Sequence, residues 1–158
     1  MTQLANSATS VVDHLRSWND QVVSQVVESH GETTIVVPKE LLCATAQHCK
    51  EDPALLFNLL SDATCVDRYP VEPRFELNYH LVSIPRRDRI GLRTSVSAQH
   101  AVVDSLEPVW PGANWLEREI FDLFGVQFAG HTDLRRILLP DAFEGFPLRR
   151  DFPTEGKR

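Results

Sequence analysis

The chain has 158 residues, with 16 basic against 22 acidic side chains, a formal charge of −6 and a pI near 5.5. That length holds one domain with a modest core, and the acidic balance gives no general drive toward nucleic acid or anionic lipid. The N-terminus lacks a basic and an apolar signal region, and no run approaches the roughly 18 apolar residues that a membrane span needs.

Val11, Leu15, Trp18, Val22 and Val26 recur at helical spacing, with Val12, Val23 and Val27 widening the stripe and Gly31 beyond it; they predict an amphipathic helix over about residues 9–29. Thr33 to Val37 is β-branched throughout and predicts a strand closed by Pro38. A second helix is expected from about Lys39 to Lys50. Its Cys43 and Cys49, with Cys65 further on, are too few and scattered for a disulfide framework and fit a reducing compartment. No cluster or zinc set emerges, so no metal is assigned and His48 beside Cys49 reads as helix surface.

Residues 55–67 fit neither period well until Thr64 and Val66 favour a strand. Phe75, Leu77, Tyr79 and Leu81 alternate with polar residues, as do Ile90, Leu92, Thr94 and Val96. With turn chemistry at residues 85–89 between them, they predict an antiparallel hairpin. The order of elements predicts an α+β fold: a two-layer domain over residues 1–130 with helices on one face of a mixed or antiparallel sheet, followed by an extended C-terminal docking tail over 131–158.

The most informative helix is 115–124. On a wheel of about 100° per residue, Leu116, Ile120, Phe121, Leu123 and Phe124 span the core face. Trp115, Arg118, Glu119 and Asp122 gather opposite, where Arg118 and Asp122 are spaced as an i, i+4 surface pair. Glu117 falls on the apolar face, where an unpaired carboxylate costs several kcal/mol. The expected partner is Arg135 or Arg136 of the tail, with water as the alternative. Gly125 then stops the helix.

Beyond it the chain turns to Gly, Pro and Arg punctuation, with a short helical turn possible at residues 132–138. From Arg135 onward six basic residues meet four acids, so the tail is locally basic. Arg135, Arg136, Arg149 and Arg150 are interleaved with Phe143, Phe146 and Phe152, the mixture that buried protein interfaces use. Glu117, Glu119, Asp122 and His131 are also an acid/base inventory, and a hydrolase using Glu117 or Glu119 with His131 is the competing reading. No nucleophile elbow, P-loop or H-E-x-x-H accompanies it, and His131 between Gly130 and Thr132 reads as a turn residue.

The run WLEREIFDLFGVQFAGH, then LRRILLP, then GFPLRRDFP closely resembles the signature of the C-type, thirty-kilodalton subunit of the proton-translocating NADH:quinone oxidoreductase, respiratory complex I. The likeness is dense over residues 110–153 and weaker upstream. It implies a cofactor-free, non-catalytic subunit of the peripheral arm, with FMN, iron–sulfur clusters, NADH and quinone handled by other chains. The implied partners are the quinone-site subunit of forty-nine-kilodalton type, the subunit with the terminal cluster, and neighbouring cluster-bearing subunits, on the cytoplasmic face of a bacterial inner membrane. The resemblance places Glu117, Arg118, Glu119, Asp122, Gly125, Gly130, His131, Arg136, Pro140, Gly145, Pro147, Leu148, Arg149, Arg150 and Asp151 in its motif as interface and fold residues. Thr132 stands where the family usually has proline, and Phe143 where it has tryptophan. Related subunits occur in energy-converting hydrogenases and formate hydrogenlyase complexes, which are the alternative assignment.

Overall fold

The computed structural model describes residues 2–153 and 155. Its first helix, α1, runs Thr2–Trp18 and not to residue 29. Asn19 is extended at φ −156° and its side chain accepts from the Gln21 amide, which diverts the chain into a 3-10 turn at Asp20–Val22. The remaining valines of the apolar stripe then enter strand β1, Gln25–Ser29. Valine's stiff χ1 suits a strand at least as well as a helix. His30 and Gly31, at φ 52° and 83°, turn β1 back onto β2, Glu32–Val36.

A 3-10 turn at Lys39–Leu41 leads into α2, Leu42–Glu51, which buries Leu42, Thr45, Ala46 and Cys49. The ambiguous segment divides: Leu55 and Phe57 are buried in a turn, and β3 begins only at Leu59 and runs to Asp67. The expected hairpin is present as β4, Phe75–Ser83, and β5, Asp88–Val96, paired antiparallel from Phe75↔Val96 to Ser83↔Asp88.

These strands form a mixed sheet in the order β1-β2-β5-β4-β3, with β2 and β5 parallel and the other pairs antiparallel. Gly91 lies opposite Thr34 at the parallel junction, where an added Cβ would stand 2.8 Å from the Thr34 hydroxyl. On β4, Phe75, Leu77, Tyr79 and Leu81 are fully buried while Glu76, Asn78 and His80 are half-exposed. The helices cover the apolar face, and the other face is polar. This is the α+β architecture that the alternation predicts.

Helix α3, Ala113–Phe124, lies against β3. It connects two short strands, β6 at Val102–Asp104 and β7 at Gln127–Ala129, which pair in parallel as a second small sheet. Three residues per strand carry too little periodicity to be read from sequence. From Gly130 to Pro153 the chain has no helix or strand, so the possible helical turn at 132–138 does not form. The three cysteines are free, and burial pushes the Cys49 and Cys65 thiols up to about 12, which makes them poor nucleophiles.

Candidate functional site at the helix to tail junction

α3 is enclosed on two sides. Its Ile120 and Phe124 enter the core, while Glu117, Arg118 and Asp122 are also buried, against the expectation that Arg118 and Asp122 form a solvated pair. A helical wheel records only the helix itself, and here the tail supplies the second cover.

Glu117 has no exposure, but its partner is neither tail arginine. Its Oε2 accepts from the Ser105 hydroxyl at 2.6 Å and its Oε1 from the Leu106 amide at 2.7 Å. The carboxylate therefore ties α3 to the irregular segment that precedes it. Burial dominates its titration, pushing the carboxyl up to about 7 against the two hydrogen bonds, which favour the anion.

The carboxylate that does meet the tail is Asp122. Its Oδ2 accepts from three successive amides, Ile137, Leu138 and Leu139, at 3.1, 2.8 and 2.9 Å. Its Oδ1 takes Nη1 of Arg136 at 2.6 Å. Burial works to raise this carboxyl, and the three amides with the guanidinium override it and hold it below the usual carboxylate range. Arg136 reaches further, donating through Nη2 to the carbonyls of Phe143 and Gly145 at 3.0 and 3.1 Å. Arg118 approaches the same turn from the helix and donates to the carbonyls of Arg135 and Arg136, both at 3.2 Å. Helix and tail are thus joined by charged groups acting mainly on backbone.

Gly125 ends α3 at φ 75°, and its amide donates to the Phe121 carbonyl. A Cβ there would lie 2.5 Å from the Phe146 ring and 2.7 Å from Nη2 of Arg149. The position therefore needs both the conformation and the small size of glycine. Arg149 donates to the Phe124 carbonyl at 2.6 Å, and its guanidinium lies 4.5 Å from the Phe146 ring centre and 5.1 Å from that of Phe75. Burial lowers its affinity for the proton.

The far end of the tail returns to the sheet. Arg74, 7% exposed, holds Asp67 through two bonds of 2.9 and 2.8 Å and Asp151 through two of 3.0 and 2.6 Å. The Arg150 amide also donates to Asp67 at 2.8 Å, and its side chain to the Tyr69 carbonyl at 3.2 Å. Burial would raise the Asp67 carboxyl; Arg74 and the amides of Arg150 and Tyr69 bring it down to about 2. Arg74 was not legible as a site residue, because its two partners lie 7 and 77 residues away.

The remaining motif residues are placed as follows. Glu119 is exposed beside a mainly apolar cleft lined by Ala63, Cys65, Ile120, Leu123, Phe124 and Leu148. Arg135 pairs with Asp133 at the surface. Gly145 adopts φ 92° where Arg136 takes its carbonyl, and Pro147 follows. His131 receives the Asp133 amide on Nδ1 at 3.0 Å and places Nε2 3.2 Å from the Asn114 carbonyl, an arrangement that suits the neutral ring protonated at Nε2. Glu107 completes that corner: the amide and hydroxyl of Thr132 hold its carboxyl down to about 2. Glu117 is thus bound to Ser105 and Leu106, His131 to Asp133 and Asn114, and Glu119 borders the apolar cleft.

Fold and site define an α+β domain that clamps its own C-terminal segment along one helix. Residues 35–158 match the family model described as the respiratory-chain NADH dehydrogenase, 30 Kd subunit, and the chain belongs to that family. It is 40% identical over 156 residues to the NADH-quinone oxidoreductase C subunit of Geotalea uraniireducens (strain Rf4), covering 99% of this chain and 93% of the relative. It is 47% identical over 128 residues to the C 2 subunit of the same enzyme in Rhizobium etli (strain CIAT 652), covering 81% and 68%.

Among solved structures it resembles a trypsin-resistant fragment of Nqo5, with a TM-score of 0.69 and 30% identity over 81% of this chain and 99% of the fragment. The fold also matches a chain from the membrane-bound sulfane sulfur reductase, an archaeal respiratory membrane complex. There the TM-score is 0.77 at 24% identity, over 92% of this chain and 85% of that one. Among the described residues, no helix is long and apolar enough to cross a membrane.

Proposed function

We propose that this chain is a cofactor-free structural subunit of a proton-translocating NADH:quinone oxidoreductase, held at the cytoplasmic face of the inner membrane through its partner subunits. Residues 131–158 form its docking tail, and the quinone-site subunit and the terminal-cluster subunit are the neighbours it joins. FMN, the iron–sulfur clusters, NADH and quinone belong to the other chains.

The observation that carries this reading is the Asp122 clamp. One buried carboxylate fixes three consecutive tail amides and Arg136, so the charged motif is engaged in shaping the tail. Family membership supports the complex, and the clamp supports this reading of what the motif does in it. With the tail so held, Leu138 and Leu148 stand 59% and 52% exposed, as apolar anchors for a neighbouring subunit.

Affinity purification of the tagged chain from membranes dissolved in mild detergent tests the proposal. Flavin-bearing, iron–sulfur and proton-pumping subunits with NADH:quinone activity are the expected partners. Nickel-containing partners would move the assignment to a hydrogenase, and recovery of the chain alone would end the structural-subunit reading.

A further inference from the structure

Away from the helix to tail junction, the C-terminal ends of α1 and α2 bring together His14, His48 and Asp52. Their ligand atoms lie within 4.8 Å of one another. Asp52 Oδ2 is 3.0 Å from His14 Nε2 and 3.5 Å from His48 Nε2, while its Oδ1 accepts from the Ala54 amide at 2.7 Å. The carboxylate is therefore oriented by backbone on one oxygen and turned toward two imidazoles with the other.

The His48 ring is fixed as well. It stacks on Trp18 with ring centres 4.1 Å apart and planes 5° from parallel, and on His14 at 5.8 Å and 14°. Its Nε2 is buried and, among the described residues, makes no hydrogen bond, with the Asp52 carboxylate standing 3.5 Å away. A buried ring nitrogen without a hydrogen bond is costly, and a cation between the three side chains would satisfy it.

From this geometry we infer a binding site for a divalent transition-metal ion, with His14 Nε2, His48 Nε2 and Asp52 Oδ2 as its protein ligands. Imidazole nitrogen with one carboxylate oxygen selects zinc- or nickel-type ions over magnesium or calcium. Tetrahedral ligands about 2.0–2.1 Å from zinc stand roughly 3.3 Å apart, and the 3.0 and 3.5 Å separations bracket that value. The His14 side chain is 35% exposed and borders solvent that can complete the coordination. Cys49 stands outside this group of ligands and is fully buried in the core. His48 lies in the last turn of α2, Asp52 is the extended residue that caps its C-terminus and His14 comes from α1, so the ion would clip the first helix to the second and stabilise the fold by binding only its native form.

Calorimetric titration of the tag-free full chain with zinc chloride, after removal of metal with a chelator, tests the inference. One ion per chain is expected, with affinity lowered roughly tenfold or more in His14→Gln, His48→Ala and Asp52→Asn and unchanged in His30→Ala and His80→Ala. Nickel should quench fluorescence of the native chain, and Trp18→Phe should remove that quench while leaving the calorimetric site intact. If His48→Ala fails to fold, the partly exposed His14→Gln decides. Absence of saturable binding, or binding that persists in His14→Gln and Asp52→Asn, is adventitious surface association only and overturns the site.

Discussion

Arg74 and Asp151, 77 residues apart in sequence, are joined by two hydrogen bonds of 3.0 and 2.6 Å, and the same guanidinium holds Asp67 from the other side. One cation thus neutralises a sheet carboxylate and anchors the end of the tail.

Arg74→Ala and Asp151→Asn should separate these two duties. The first strands Asp67 in the interior without its charge partner and should cost about 3–5 kcal/mol. The second removes one half-exposed acid and should cost about 1 kcal/mol or less. Urea unfolding measures the difference, and limited proteolysis should nick the tail of the Asp151→Asn chain while its core persists. Equal stability of the two variants would contradict this division.

Asp122→Ala leaves the amides of Ile137, Leu138 and Leu139 and the Arg136 guanidinium without their acceptor. A loss of roughly 3 kcal/mol is expected, together with faster hydrogen exchange at those three amides than at β4 and β5. Exchange at residues 137–139 that stays as slow as in the native chain would dissociate the carboxylate from tail placement.

Glu117 gives a pH dependence with a definite sign. Its folded value near 7 lies above the ordinary 4.5, so the unfolded chain releases the proton first. Its contribution is complete below about pH 4.5 and is lost as pH rises to about 7. Glu117→Gln should remove this slope and gain roughly 3 kcal/mol over the native chain at pH 8, the advantage vanishing in acid. Asp67 and Glu107, both held near 2, give the opposite arm, present above about pH 4 and lost as the solution is acidified. Denaturant midpoints across pH for the two chains check the difference.

Gly125 and Gly130 both adopt positive φ, at 75° and 82°, but only Gly125 is crowded. Gly130→Ala should cost about 1 kcal/mol for its backbone conformation. Gly125→Ala must also displace Phe146 and Arg149, so it should cost roughly 1–3 kcal/mol more and loosen the tail. Thermal unfolding of the pair separates the steric cost from the conformational one.

Much of this fold was legible because β4 and β5 alternate cleanly and α3 has one coherent apolar arc closed by Gly125. α1 was overextended because Val22, Val23, Val26 and Val27 continue the helical stripe, while the Asn19 bond that breaks it is local and polar. The wheel marks Glu117 as a carboxylate on the apolar face, yet it does not reveal the partner. Ser105 and Leu106 sit in a segment without periodicity, whereas the tail arginines advertised a charge match. Periodicity alone puts Arg118 and Asp122 at the surface, because nothing within ten residues foretells the cover that residues 135–139 supply.

Three amides in a row converging on one oxygen of Asp122 leave residues 137–139 little freedom to reorient. A loop tied in this way is ordered before any encounter, so in the proposed complex a neighbouring chain would meet Leu138 as part of a finished relief. Association would then forfeit little chain entropy, so a subunit of modest contact area could lodge firmly and in a single pose.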